Sequence, residues 1–170
     1  MANVLFLVGS LREGAFSAEL AKSAEKALEG KATVAYLDWK DVPVFSQDLE
    51  ADAPVAVKAA RAAVLAADAI WIFSPVYNAG IPGSVRNLLD WLSRALDLSD
   101  TTGVSAINEK VVTVSISSFA HQDEVAVEYR KLLPFIRTSL VDEFTLATIG
   151  APVDEAQLAK QADALLAAIN

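Results

Sequence analysis

The run Ala69-Ile70-Trp71-Ile72-Phe73 most constrains the fold, because it has almost no polar alternation. A strand with one wet face alternates apolar and polar side chains, so an unbroken apolar run marks a strand buried on both faces, as in parallel sheets. Parallel neighbours are joined by long crossovers, usually helices. The rest of the chain must therefore supply strands and helices in alternation.

Val4-Leu5-Phe6-Leu7-Val8 reads as a first strand. Beyond it Phe16, Leu20, Ala24, Ala27 and Leu28 recur at helical spacing, and Gly30 is a fitting stop, which predicts a helix from Ala15 to Glu29. A second strand follows over Ala32 to Leu37, and a helix over Val55 to Ala66. The connection between them carries Trp39, Val42, Val44 and Phe45, and this apolar content predicts a cover over the core. After the central run come a helix from Val85 to about Leu96, a strand over Lys110 to Ile116 and a helix from Asp123 to Thr138. A fifth strand over Phe144 to Ile149 precedes a last helix, Asp154 to Ile169, whose leading Asp154-Glu155 suits the helix dipole.

No repeat or linker divides the sequence, so residues 1–170 are expected to form one domain, large enough to bury about 70% of the unfolded surface. Five strands alternating with five helices predict a doubly wound α/β fold, a parallel sheet with helices on both faces. Two strand orders are open. In the order 2-1-3-4-5 the loops after strands one, three and four meet at the carboxyl edge, beside the point where the winding reverses.

Those three loops are the unusual ones. The first, Gly9-Ser10-Leu11-Arg12-Glu13-Gly14-Ala15-Phe16-Ser17, joins a strand to a helix N-terminus, where free N–H groups and the helix dipole both favour an anion. Its hydroxyls and Arg12 suit phosphate. Gly9 and Gly14 have Walker A spacing, but Ala15-Phe16 replace the required Lys-Ser or Lys-Thr, and Leu11 stands where the dinucleotide fingerprint needs its second glycine. A terminal monophosphate remains, beside the plainer reading of a βα turn with a surface arginine. The second loop, Ser74 to Ser84, is dense in Pro, Gly and Asn, and the third is Ser117-Ser118-Phe119-Ala120-His121-Gln122.

A net charge of −8 argues against nucleic acid or an anionic membrane as main partner. The absence of cysteine excludes thiol chemistry and thiolate metal sites, and a single histidine, His121, excludes a multi-histidine site, so no metal is expected. Redox chemistry would have to come from a cofactor. No basic leader or apolar span of about 18 residues is visible, which predicts a cytoplasmic protein.

The first loop, together with Pro75-Val76-Tyr77-Asn78-Ala79-Gly80-Ile81-Pro82-Gly83-Ser84-Val85-Arg86-Asn87-Leu88-Leu89-Asp90-Trp91-Leu92-Ser93-Arg94, closely resembles the NADPH-dependent FMN reductases, which include chromate and quinone reductases. The resemblance covers nearly the whole chain. It implies a flavodoxin-like FMN-binding fold, usually dimeric or tetrameric, that oxidises NADPH or NADH and passes electrons to a quinone, free flavin, chromate or azo compound. Ser10, Arg12 and Ser17 would hold the FMN phosphate. Pro75, Tyr77 and Asn78 would line the flavin and its ribityl chain, with Ile81 near the ring, and Ser117, Ser118 and Phe119 would approach the pyrimidine edge. Val76 belongs to the same motif, where many relatives carry Glu, and the third loop lacks the glycines common among relatives. Electron transfer between two stacked rings needs no acid–base dyad, so no catalytic side chain is expected, and His121 is assigned an exposed structural role. The competing reading is an electron carrier of the flavodoxin type. Trp91 and Leu98 lie off the predicted core stripe of the third helix, Val85, Leu88, Leu89, Leu92 and Leu96, and this placement predicts a subunit interface.

Overall fold

A computed structural model describes residues 1–169. In chain order the elements are β1 (Ala2–Val8), α1 (Phe16–Ala27), β2 (Ala32–Tyr36), a 3-10 turn (Gln47–Leu49), α2 (Val55–Ala66), β3 (Ala69–Pro75), α3 (Gly83–Leu92), β4 (Val111–Ser118), α4 (Gln122–Phe135), β5 (Ser139–Leu140), β6 (Thr145–Thr148) and α5 (Glu155–Ile169). The sheet runs β2-β1-β3-β4-β5, with β6 also on β4, and every pairing is parallel. This is the doubly wound order 2-1-3-4-5, its fifth place shared by two short strands.

The central strands send alternate side chains to opposite faces. Leu5, Leu7, Ile70, Ile72, Val112 and Val114 pack with the inner faces of α2, α3 and α4, while Val4, Phe6, Trp71 and Phe73 pack with α1 and α5. Full burial of each large side chain stabilises the fold by about 1.5–3 kcal/mol. The unbroken apolar run in β3 is thus explained by helices on both sides.

The structure departs from the sequence reading at several places, among them the end of the fourth helix, expected at Thr138 and found at Phe135. Trp91 is fully buried, packed with Ala53 and Val57, and its indole N–H donates to Pro43 O at 2.8 Å. The connection between β2 and α2 folds over the outer side of α3 and makes a second apolar layer there, so Trp91 supports no subunit interface. Trp39, Val42 and Phe45 join this cover or the main core, whereas Val44 is exposed. Helix α3 ends at Leu92, and Leu96, bonded through its N–H to Val104 O at 2.9 Å, leaves the core stripe and is exposed. The fifth strand is interrupted, because the chain leaves the ladder after Val141, whose N–H still bonds Val112 O at 2.8 Å: Asp142 pairs with Arg130 at 2.6 Å, and Thr113 Oγ1 donates to Glu143 O at 3.0 Å.

Pro134 removes one N–H from the last turn of α4, which Ile136 N–H still closes by bonding Leu132 O at 3.0 Å. Arg137, at φ 66°, closes a Schellman cap in which Arg137 N–H bonds Pro134 O at 2.9 Å and Thr138 N–H bonds Leu133 O at 3.2 Å.

Candidate functional site

The loops after β1, β3 and β4 converge at the carboxyl edge of the sheet. Gly9 starts the first, its N–H donating to Phe73 O at 2.8 Å. A Cβ there would stand 3.0 Å from Phe73 O, Pro75 Cδ and Val85 Cγ2, so only glycine lets the first loop lie this close to β3. Ser10 Oγ and Tyr77 Oη are 3.2 Å apart and tie the first loop to the second. Arg12 is exposed, gives one hydrogen bond to Glu13 O at 3.3 Å and makes no ion pair among the described residues. Helix α1 begins at Phe16 without a side-chain cap, so its leading N–H groups face the first loop unclaimed by any side chain. Ser17, in that first turn, is buried, and its hydroxyl has no partner among the described residues.

The second loop is a tight turn. Tyr77 N–H bonds Gly80 O at 3.1 Å, Gly80 N–H bonds Tyr77 O at 3.0 Å, and Asn78 and Ala79 are both left-handed, at φ 51° and 56°. Asparagine tolerates this conformation, but for alanine it costs about 1–2 kcal/mol. Pro75 pairs in register with Ser117, which brings the second and third loops together, and Val76 and Ile81 are half-buried against the core. At the end of β4, where the third loop starts, Ser117 is buried and its hydroxyl has no partner among the described residues, Ser118 Oγ accepts from Ala120 N–H at 3.4 Å, and Phe119 is 76% exposed. His121 is exposed at the start of α4, at φ 67°, with Nδ1 3.1 Å from Glu124. The Glu124 carboxyl lies below its ordinary range, chiefly through its own backbone N–H and then through His121.

All the residues singled out from the sequence therefore lie on these three loops or at their ends. Those that hold the loops from behind were not foreseen. Gln122 Nε2 donates to Ser118 O at 2.9 Å and Ala147 O at 3.2 Å. Glu128 accepts the Ile81 N–H at 3.2 Å. Tyr129 Oη donates to Ser74 Oγ at 2.9 Å, which donates in turn to Pro75 O at 2.8 Å. Helix α4 thus fastens both the second and the third loop. Local sequence carries no sign of this, since Glu128 and Ile81 are 47 residues apart.

Three buried hydroxyls, those of Ser17, Ser105 and Ser117, have no partner among the described residues, and two of them, Ser17 and Ser117, border the first and third loops. With an uncapped helix and a free arginine at one end, the edge could hold an elongated ligand with a terminal anion.

Fold and site together define a flavodoxin-like protein. The model of the NADPH-dependent FMN reductase family matches residues 2–151, and the chain belongs to that family. Among curated relatives, a quinone reductase of Escherichia coli (strain K12) is 34% identical over 97 residues, 55% of this chain and 52% of the relative. A 2-hydroxy-1,4-benzoquinone reductase of Burkholderia sp. is 33% identical over 91 residues, 54% of this chain and 50% of the relative. The matched stretch thus spans about half the length of these relatives. Among solved structures, the flavoenzyme NAD(P)H:(acceptor) oxidoreductase FerB from Paracoccus denitrificans superposes with TM-score 0.81 at 22% identity, covering 99% of this chain and 97% of that one, a likeness of fold.

Proposed function

We propose that residues 1–170 act as one FMN-binding domain and, with NADH or NADPH as reductant, reduce a small acceptor such as a quinone, free flavin, chromate or an azo compound. The observation that carries this reading is the meeting of three loops at the switch point of the sheet, where the uncapped start of α1 and the exposed Arg12 stand beside the Ser10–Tyr77 contact and the Pro75–Ser117 register. FMN fits this donor set. Arg12, Ser10, Ser17 and the leading N–H groups of α1 hold its phosphate; Pro75, Val76, Tyr77, Asn78 and Ile81 line the flavin and ribityl chain; Ser117, Ser118 and Phe119 meet the pyrimidine edge. FMN supplies the two-electron redox chemistry when bound. The chain's own work is to orient it. The reciprocal Tyr77–Gly80 bonds fix the second loop, Glu128 and Tyr129 brace it, and Gln122 fixes the third. No side chain is assigned a proton to move.

Two further features belong to the proposal. The chain assembles as a homodimer or homotetramer through the exposed Leu96, Leu98 and Val104. It works in the cytoplasm, a reading supported by its acidic, cysteine-free composition; none of the described helices is long and apolar enough to cross a membrane.

Adding NADH or NADPH anaerobically to the FMN-loaded protein is expected to bleach the flavin absorbance. Failure with both nucleotides would favour an electron carrier of the flavodoxin type. Binding itself is tested by Arg12→Ala. One charge-assisted contact contributes about 1.5–3 kcal/mol, so FMN affinity is expected to fall about 10- to 150-fold while riboflavin, which has no phosphate, binds as before. Equal losses for the two flavins in a fluorescence titration would show that Arg12 does not read the phosphate.

A further inference from the structure

A groove between α3 and α4, lined by Arg86, Glu128, Lys131, Leu132 and Phe135, contains none of the residues assigned above to the flavin itself. It starts at the second loop, because the Glu128 carboxylate in its wall accepts the Ile81 N–H at 3.2 Å. From there it follows α4 to Phe135, about 10 Å along the axis at 1.5 Å per residue. Arg86 and Lys131 are both exposed, and neither side chain makes an ion pair or hydrogen bond among the described residues. Phe135 is 84% exposed, an aromatic ring that the described residues leave largely uncovered. The groove therefore offers two unclaimed cations against one carboxylate already bonded to backbone, and a bare aromatic face beyond them.

That combination suits one end of a dinucleotide. A guanidinium and an ammonium recognise a diphosphate, and an exposed aromatic face stacks a purine. We propose that this groove binds the adenosine diphosphate portion of the nicotinamide nucleotide, with Arg86 and Lys131 on the diphosphate and Phe135 under the adenine. The nicotinamide end then reaches over the second loop to the flavin edge. The proposal rests on the reading above, that the chain oxidises NADH or NADPH.

The test compares NADH with dihydronicotinamide riboside, which donates the same electrons but lacks the adenosine diphosphate. In the FMN-loaded protein, Phe135→Ala and the double variant Arg86→Gln with Lys131→Gln are each expected to lower the ratio of kcat/KM for NADH over dihydronicotinamide riboside about 10-fold, through KM for NADH. ADP-ribose should compete with NADH in the wild type and lose its hold in both variants. An unchanged ratio overturns the proposal. So does an equal loss with both reductants accompanied by a change in sedimentation of Phe135→Ala, which would make the ring a subunit contact. If the wild type oxidises neither reductant, the proposed activity fails, yet calorimetric titration of ADP-ribose still decides the groove: binding that the variants lose supports it, and no binding to the wild type overturns it.

Discussion

Tyr129 has no exposed surface, and burial pushes its phenol well above the ordinary value, with the bond to Ser74 pulling the other way. An unfolded tyrosine releases its proton near pH 10 while the folded one keeps it. The stabilising contribution is therefore whole below about pH 10 and declines above it, by about 1.4 kcal/mol for each pH unit. Tyr129→Phe is expected to make urea denaturation less steeply alkali-sensitive between about pH 9 and about pH 11. Part of the slope will persist, because Tyr36 is also raised, by partial burial and then by its bond to Glu25. At neutral pH the variant should lose about 1 kcal/mol, the worth of one hydrogen bond. Identical alkaline slopes in the two proteins would count against the account. At this scale the sequence was informative about backbone, since the Pro, Gly and Asn content of the second loop marks the tight turn in which Asn78 and Ala79 are left-handed. It was silent on Glu128, Gln122 and Tyr129, because an ordinary helical glutamate, glutamine or tyrosine looks the same whether it faces water or braces a loop.

Helix α5 is locked to the sheet by one fully buried amide. Gln161 Nε2 donates to Thr113 Oγ1 at 2.8 Å and Val114 O at 2.9 Å, and Oε1 accepts from Ser115 Oγ at 2.9 Å and Thr145 Oγ1 at 2.6 Å. Every valence of the amide is used. Gln161→Leu would leave several buried groups unpaired, each costing about 1–3 kcal/mol, so a loss of about 3 kcal/mol or more is expected. Amide hydrogen exchange should quicken first in β6, which the amide holds through Thr145. Uniform quickening over the whole sheet would show that the network stabilises no element in particular. The helices were legible to within a few residues because their apolar spacing is local. The split of the fifth strand was not, because Thr113, Arg130 and Gln157 cause it from other elements. Trp91 misled for a related reason: a helical wheel knows only the direction of the sheet, and the cover on the far side of α3 comes from a connection with no periodicity.

Across the whole molecule, the charge of −8 keeps copies apart unless a local contact outweighs it. With Trp91 buried, the exposed apolar residues near the end of α3, Leu96, Leu98 and Val104, carry the expectation of assembly. Light scattering of the wild type should give at least a dimer at micromolar concentration, and Leu98→Glu should shift it toward monomer. A monomeric wild type would remove this interface. The broken strand on β4 has a further effect at this scale. An intact edge strand offers a row of free backbone groups on which a foreign strand can grow, and sheets commonly blunt such edges with charge, bulges or short strands. Here β5 is two residues and β6 four, separated by a segment carrying Asp142 and Glu143. Neither piece is long enough to seed a growing fibril. The five residues of β2 form a regular ladder on the opposite edge, so a crowded or partly unfolded population should aggregate from one side of the sheet alone.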